Sequence, residues 1–360
     1  MTYRIAAILF GIVLLGCGQG SGTGPDHAQL SVIDGFHAPE DIEPLPGGDI
    51  LVVSEYGGLT AARSGTIKLL RRSNKTEILY PQATADGDKI TIPWGELECG
   101  PPLGESIAPH GIHVGAGPGG KDQLLVVNHA KRESIEIFQI MDADAYEPSV
   151  SWRGCVVAPE HVWLNDVAAL PSGGFVASHM TPRGTTVEAL LEIDDAPELQ
   201  GHVLEWTSES GWQKVAGTEG KLANGLQVSA DGSIIYINYY LGDEVVAIER
   251  STGKKLWTAA VEGPDNSSWT PDGKLLVASH RAELKDVLAC HDGEAAFCGI
   301  RFGVVSIDPA TGETEELFAG EGEPFGGATV AVDVGDRLYL GSFAGERVGY
   351  IDIPGVGAGD

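Results

Sequence analysis

Oxygen-bearing side chains recur at one position of a repeated hairpin pattern in this 360-residue chain. Each repeat contains a polar stretch, an apolar strand, a turn rich in glycine, proline or aspartate, and a second apolar strand. When the turn glycines are aligned, four side chains share the start of the first strand: Glu40, Asn165, Asn224 and Asp265. Asn266 follows the last of them. Carboxylate and carboxamide oxygens suit Ca²⁺ and suit zinc or copper poorly.

Turn chemistry offers another explanation for each of these residues taken singly. Asn224 and Gly225, for example, form a pair that is common in turns. Four such residues in phase, with no branched apolar residue among them, favour a shared role. The sequence therefore predicts one calcium ion held by Glu40, Asn165, Asn224, Asp265 and Asn266.

Histidines stand where they should adjoin this oxygen ring. His110 occupies the aligned position in the second repeat, and Ala328 is assigned to it in the sixth. Because an antiparallel second strand ends where the first began, His129 is predicted beside His110. An imidazole titrates near neutral pH and can take a proton from water, so the pair could act in hydrolysis next to a Lewis acid. His110 is the expected base, with His129 orienting it.

Three further histidines are candidates for the wall of the same site. His179 and His280 each end a second strand in the triplet Ala-Ser-His, and His113 lies on the same first strand as His110. We expect these three to line the substrate pocket.

The elements that must position these residues form a ring. Six copies of the hairpin pattern occur, roughly 40 to 70 residues apart, with no amphipathic helical stretch between them. They begin near Ala38, Ala108, Trp163, Asn224, Gly263 and Gly326. This predicts an all-β, six-bladed β-propeller over residues 28–360. The first strand of each blade lines the central channel, so the aligned side chains should converge on the axis.

The first 27 residues are predicted to be separate from the propeller. An apolar run from Ile5 to Leu15 follows Arg4 and is too short to span a bilayer. It ends in a segment, Leu14 to Cys17, that resembles a bacterial lipoprotein processing box. The resemblance implies a signal peptide over residues 1–17, lipidation of Cys17 and a flexible tether over residues 18–27. An ordinary secretory signal with an incidental cysteine is the alternative.

Export to the bacterial cell envelope would leave four cysteines in an oxidising compartment. The short loop CHDGEAAFC favours a Cys290–Cys298 disulfide, which would leave Cys99 to pair with Cys155. Two other pairings are possible. A zinc site is disfavoured because no Cys-x-x-Cys spacing occurs.

Charge and motifs exclude several other functions. The net charge of −28 argues against nucleic acid or an anionic membrane surface as partner, so we expect membrane contact only through the lipid anchor. Residues 115–120, GAGPGG, match a dinucleotide fingerprint, but Pro118 interrupts it and no helix follows. No G-x-S-x-G or H-E-x-x-H motif occurs.

Several short blocks resemble the serum paraoxonase and arylesterase family, in order along nearly the whole mature chain. They are ED at 40–41, PHGI at 109–112, VVNH at 126–129, ND at 165–166, ANG at 223–225, DN at 265–266 and ATVA around Thr329. The ring is similar, more distantly, to that of gluconolactonases and regucalcin.

This resemblance implies two calcium ions. One is catalytic and uses the five residues named above, and the second is structural and bound by Asp41, Asp166 and the carbonyl of Ile112. It also implies that His110 and His129 form a catalytic pair in a lactonase with aryl-ester activity. The chain departs from the family in the loop after Tyr56, in the amino-terminal membrane helix and in the cysteine that ties the chain ends together.

Two classes of function follow for a small-molecule partner. The first is a calcium-dependent hydrolase that opens lactones and cleaves aryl esters, with a gluconolactonase-like sugar lactonase as a variant. The second is a non-catalytic envelope propeller that keeps calcium for stability and binds a ligand. The pairing of His110 with His129 favours the enzyme, because a structural metal needs no base beside it.

Overall fold

The computed structural model describes residues 29–56, 64–81, 94–102, 107–193, 196–291 and 296–353. Six four-stranded antiparallel sheets make up this part of the chain, and the predicted six-bladed β-propeller is confirmed. The predicted signal peptide, the lipidation residue Cys17 and the tether lie outside the described residues. No helix in the described ranges is long and apolar enough to cross a membrane.

The strands follow the chain blade by blade. β1 (Leu30–Asp34) comes first, and blade 1 contains β2 (Pro39–Pro44), β3 (Ile50–Glu55), β4 (Thr66–Arg71) and β5 (Thr76–Tyr80). Blade 2 contains β6 (Pro109–Ala116), β7 (Asp122–Asn128), β8 (Ser134–Met141) and β9 (Ser149–Val157). Blade 3 contains β10 (Leu164–Ala169), β11 (Phe175–His179), β12 (His202–Thr207) and β13 (Gly211–Lys214).

The second half of the ring has the same arrangement. Blade 4 contains β14 (Ala223–Val228), β15 (Ile234–Tyr239), β16 (Glu244–Glu249) and β17 (Lys254–Ala260). Blade 5 contains β18 (Pro264–Trp269), β19 (Leu275–His280), β20 (Phe302–Ile307) and β21 (Thr314–Gly320). Blade 6 contains β22 (Ala328–Val334), β23 (Arg337–Ser342) and β24 (Arg347–Asp352). Helix α1 (Val187–Leu191) lies in a loop of blade 3, and helix α2 (Leu284–His291) lies in a loop of blade 5.

The ring closes by strand pairing between the two ends of the described chain. β1 pairs antiparallel with β24, from Leu30 opposite Ile351 to Asp34 opposite Arg347, and so completes blade 6. The inner strands contact one another in the cyclic order β2, β6, β10, β14, β18, β22 and back to β2. Backbone hydrogen bonds between β1 and β24 therefore close the ring.

The hydrophobic core lies between neighbouring blades. One cluster joins Val52 and Ile67 of blade 1 to Leu124 and Phe138 of blade 2. Because both faces of a blade are covered in this way, second strands such as β3 and β7 contain apolar runs of four residues without polar alternation. Burial on both faces fixes each blade against the next and holds the inner strands at the axis.

Each inner strand begins with a register shift against its neighbour in the blade. In blade 1, for example, Pro39 pairs with Glu55 and Asp41 pairs with Ser54, so Glu40 is an extra residue between the two pairs. A bulge re-aims the side chains around it. It thereby allows the consecutive residues Glu40 and Asp41, or Asp265 and Asn266, to reach the central channel instead of opposite faces of the sheet.

Asn224 and Gly225 lie inside strand β14, so the turn explanation of this pair is wrong. A Cβ on Gly225 would lie 2.5 Å from the carbonyl oxygen of Asp265 and 2.6 Å from the Cα of Asn266. Only glycine permits this approach between blades 4 and 5. Gly111 is confined in the same way, with a Cβ position 2.6 Å from the carbonyl oxygen of Asn165.

Both disulfides favoured by the sequence are present. Cys99 pairs with Cys155, and their Cα atoms are 5.6 Å apart. Cys290, in α2, pairs with Cys298, with a Cα separation of 5.4 Å. The first bond joins the segment before blade 2 to β9, and the second holds α2 against the segment that leads into β20.

Candidate active site at the channel mouth

One cavity at the mouth of the channel is lined by the second residue of all six inner strands. These residues are Glu40, His110, Asn165, Asn224, Asp265 and Thr329. The alignment of the turn glycines thus identified five of them correctly. Ala328 was wrong, because β22 begins at Ala328 and its second residue is Thr329.

Four buried oxygens at this site have no hydrogen-bond partner. They are Glu40 Oε2, Asn165 Oδ1, Asn224 Oδ1 and Asn266 Oδ1. The amide nitrogens are in use, since Asn266 Nδ2 donates to Glu40 Oε1 at 2.7 Å and Asn165 Nδ2 donates to Met180 Sδ at 3.3 Å. A buried, unpaired oxygen acceptor is costly, so three amide oxygens and one carboxyl oxygen together fit an oxygen-liganded cation such as Ca²⁺.

The carboxyl groups of the site carry raised pKa values. Burial raises the pKa of Glu40 well above its usual range, and the charges of Asp41 and Asp265 raise it further. Burial also raises the pKa of Asp265 to about 8, partly offset by a hydrogen bond from Asn224. No Lys or Arg is among the described residues that line the cavity. A bound cation would offset the mutual repulsion of these carboxylates.

The donor set is not a cluster of acidic or histidine ligands alone. Among the described residues, no three His, Cys, Asp or Glu side chains are grouped so that they could hold a metal ion. The unpartnered amide oxygens of Asn165, Asn224 and Asn266 stand beside the carboxyl groups of Glu40 and Asp265. Such a set of hard oxygen donors fits the chemistry of calcium.

The residues of the predicted second calcium site connect neighbouring blades. Asp41 Oδ2 accepts the Ile112 N–H at 2.7 Å, which joins β2 to β6. Asp166 Oδ2 accepts the Leu226 N–H at 2.8 Å, which joins β10 to β14. Burial raises the pKa of Asp41 to about 7 in spite of its backbone hydrogen bonds. Each of these oxygens keeps a further lone pair, and the second ion stays a prediction.

His110 and His129 lie side by side at the edge of the cavity. His110 Nδ1 is 2.9 Å from His129 Nε2, and His110 Nε2 is 3.7 Å from Glu40 Oε1. The Tyr56 ring stacks on the His110 imidazole with a centroid separation of 4.4 Å. One imidazole nitrogen therefore faces the oxygen ring while the other is held by a second histidine.

Glu133 was missed by the sequence reasoning. Both of its carboxylate oxygens lie 3.0 Å from His129 Nδ1. Glu133 stands four residues after His129, across the turn before β8, and the hairpin pattern assigns no role to residues in that turn. The only sequence signal was an acidic residue close to a candidate base.

His179 does not line the cavity, which corrects the prediction for that residue. Its Nδ1 lies 3.1 Å from the backbone nitrogen of Trp163, and its ring packs against His202. His179 pairs with Leu164, whereas in blade 5 it is Ser279 that pairs with Pro264. The two Ala-Ser-His triplets are thus offset by one residue relative to their inner strands.

Met180 takes the wall position in blade 3. In each of five blades, one backbone N–H donates to the carbonyl of the residue just before the inner strand; the donors are Tyr56, His129, Met180, Tyr240 and His280. His280 does line the cavity, as predicted. Its Nδ1 lies 2.9 Å from the Tyr240 hydroxyl, and its Nε2 lies 3.6 Å from Asp265 Oδ2.

His113 lies further along the channel and does not join this cavity, contrary to the prediction. It is three residues beyond His110 on β6, a distance of about 10 Å at the rise of a β-strand. Its Nδ1 is 3.7 Å from Glu43 Oε1, and it lines a separate cavity with Gln227 and Trp269. Burial lowers the pKa of His113 to about 4.

Apart from Thr181, the rest of the cavity wall is apolar. It consists of Trp163, Met180, Leu190, Leu222, Leu284, Val287, Leu288 and Phe343. The loop helices α1 and α2 supply half of these side chains, and Val287 packs with Cys298 of the second disulfide. The cavity therefore places an oxygen-rich floor beside an apolar wall.

Comparison with solved structures shows a shared propeller fold. A luciferin-regenerating enzyme superposes with a TM-score of 0.54 at 15% identity, covering 92% of this chain and 97% of that one. A gluconolactonase from Xanthomonas campestris gives 0.53 at 15% identity over 91% and 90% of the two chains. A putative gluconolactonase gives 0.52 at 13% identity over 92% and 93%. Curated proteins gave no significant match.

The family assignment depends on a different comparison, which uses the sequence. The model of the family described as Arylesterase matches residues 31–352, which include every candidate ligand and both paired histidines. The chain belongs to the arylesterase family.

Proposed function

We propose that the protein is a calcium-dependent hydrolase that opens lactones and cleaves aryl esters at the channel mouth. The observation that carries this proposal is one cavity lined by His110 and by the unpartnered oxygens of Glu40, Asn165 and Asn224, with His129 in contact with His110 behind it. Membership of the arylesterase family supports ester hydrolysis. The calcium requirement and the lactone preference are part of the proposal.

The residues of the site would have three roles: binding the metal ion, accepting a proton and orienting the base. Glu40, Asn165, Asn224, Asp265 and Asn266 would hold a calcium ion, which would supply a Lewis acid for the substrate carbonyl and the oxyanion. His110 takes a proton from the attacking water, because its Nε2 is the imidazole nitrogen nearest the oxygen ring. His129 and the stacked Tyr56 ring keep the imidazole in this orientation.

The apolar wall supports a lipophilic substrate. A sugar lactone would bring several hydroxyl groups against Leu222, Leu288 and Phe343, where they would lose hydrogen bonds to water without replacement. This disfavours the gluconolactonase-like variant. The non-catalytic alternative leaves the contact between His110 and His129 without a purpose.

A panel of lactones tests the substrate class. We expect kcat/KM to rise with the length of an alkyl substituent, by about fourfold per methylene group, since burying one CH₂ contributes about 0.8 kcal/mol. The rise should stop when the wall is filled. Leu288→Asn should reduce this dependence on chain length, whereas Glu160→Gln, an exposed change, should not.

The outcome of the panel separates the three functions. A preference for gluconolactone over alkyl lactones would identify a sugar lactonase instead. Absence of turnover on every lactone and aryl ester, with calcium bound, would establish the binding propeller.

Anchoring to the bacterial envelope is a further part of the proposal. Two disulfides are consistent with an exported protein. Cys17→Ser should release the protein from membrane fractions, because it removes the thiol that would carry the lipid. Ser21→Ala, in the predicted tether, is the matched control. Equal membrane retention of the Cys17→Ser variant and the wild type would show that the cysteine is incidental.

A further inference from the structure

Glu133 is held in place by three segments of the chain. Its Oε1 accepts the Leu164 N–H at 2.7 Å, and its Oε2 lies 3.2 Å from Arg183 Nη1. His129 Nδ1 is the third partner, at 3.0 Å from both oxygens. The carboxylate is buried, with 5% of the side chain exposed. Its position beneath His129 is therefore determined by blades 2 and 3 together.

The partners of Glu133 determine the direction of the hydrogen bonds. A backbone N–H and a guanidinium can only donate, so both carboxylate oxygens act as acceptors. His129 Nδ1 must then carry the hydrogen of the bond to Glu133. In a neutral imidazole the other nitrogen is an acceptor, so His129 Nε2 accepts from His110 Nδ1–H. The lone pair of His110 Nε2 is thereby directed towards the cavity.

We propose that Glu133 is a positioning residue that fixes the tautomers of both histidines, so that His110 Nε2 is the base. This inference rests on the proposed function and assigns a role to a residue that touches neither substrate nor metal. Without the Glu133 carboxylate, His129 could present Nε2–H to His110. His110 would then carry its own hydrogen on Nε2, facing the cavity, and could not accept another.

The proton balance of hydrolysis follows from this arrangement. As water oxygen bonds to the carbonyl carbon, one water proton moves to His110 Nε2. The resulting imidazolium keeps its Nδ1–H bond to His129. When the carbon–oxygen bond to the leaving group breaks, the same proton passes from His110 Nε2 to the leaving oxygen. Glu133 stabilises the charged histidine pair and does not itself take a proton. A buried carboxylate behind a catalytic histidine acts in the same way.

Glu133→Gln tests the proposal with almost no change in shape. The amide oxygen can still accept from Leu164 N–H, but the amide nitrogen can donate to His129 Nδ1 and so favours the wrong tautomer. We expect kcat to fall by about 10- to 1000-fold with KM unchanged. Glu160→Gln is the matched control, because Glu160 pairs with His161 at the surface and should leave kcat unchanged.

Two further measurements separate positioning from a purely structural role. Nitrogen-15 NMR of the histidine rings should show that Nδ1 is protonated and Nε2 is unprotonated in both His110 and His129 of the wild type. The pattern should change in Glu133→Gln. The double variant Glu133→Gln with His129→Gln should be no slower than His129→Gln alone, because both changes interrupt one chain of hydrogen bonds. Glu133→Asp, which keeps the charge, should retain the wild-type tautomers and part of the rate.

The results that would overturn the proposal are equally specific. They are a wild-type kcat in Glu133→Gln, unchanged ring tautomers in Glu133→Gln, or additive losses of rate in the double variant. If the wild type hydrolyses no lactone or ester, the proposed function fails, but the NMR comparison still decides the tautomer assignment. If Glu133→Gln does not fold, wild-type NMR that shows Nε2 of His110 protonated would reject the role of Glu133.

Discussion

Removing calcium with a chelator is expected to abolish lactone and aryl-ester hydrolysis and to lower the thermal stability of the protein. The reason is the set of four unpartnered oxygens from Glu40, Asn165, Asn224 and Asn266, which a bound cation would satisfy. An ion that binds the native state alone stabilises it by about 2.7 kcal/mol at 100 times its Kd. Elemental analysis, activity and the melting temperature should be followed together, and calcium should restore all three.

A ligand variant should reproduce the effect of the chelator. Asn224→Ala removes one of the oxygens and should lower calcium content and activity together, with about 10-fold or more loss of metal affinity. Gln213→Ala removes an exposed carboxamide on β13 and is the matched control. Purified protein that contains no calcium and keeps full activity in excess chelator would contradict the proposed metal site.

The stabilisation by calcium should depend on pH. In the metal-free chain, burial raises the pKa of Asp41 to about 7 and that of Asp265 to about 8, above the value of about 3.9 for an unfolded aspartate. The native state then binds more protons than the unfolded state between about pH 4 and pH 8. The free energy of unfolding of the calcium-free protein should therefore fall as pH rises through this window.

Calcium should change this pH dependence, because its ligands bind as carboxylates. The increase in melting temperature on adding calcium is expected to be larger at pH 8 than at pH 5.5. An increase that is the same at both pH values would show that Asp41 and Asp265 do not interact with the ion.

Changing either histidine of the pair should remove most of the activity while leaving the metal in place. His110→Gln keeps a hydrogen-bonding side chain but removes the base, so kcat/KM should fall by about 10² to 10⁴. His129→Gln should also reduce the rate, because His129 Nε2 lies 2.9 Å from His110 Nδ1. Calcium content and melting temperature should stay close to wild type in both variants.

The histidine variants need a control of the same chemistry. His161→Gln changes an imidazole that is 77% exposed and should have no effect on any lactone. If His110→Gln and His129→Gln both keep the full rate on every substrate of the wild type, the pair is structural. The attacking water would then need another base.

The sequence by itself determined the ring and the phase of its inner strands. A hairpin repeated six times can bury its apolar faces only against copies of itself, which predicts a propeller. Because each blade enters the ring in the same way, aligned positions must meet at the axis. This is why the sequence alone assigns Glu40, Asn165, Asn224, Asp265 and His110 to one site, and all five line the same cavity.

The tertiary structure decided what the repeat does not fix. Strand pairing set the offset that puts Met180 rather than His179, and Thr329 rather than Ala328, at the cavity. His113 lies three residues beyond His110 on β6 and therefore does not reach this cavity. Glu133 meets His129 and Leu164 only because blades 2 and 3 bring a turn and a strand start together. Such contacts depend on hydrogen-bond register and on the packing of loops between blades, and neither is periodic in the sequence.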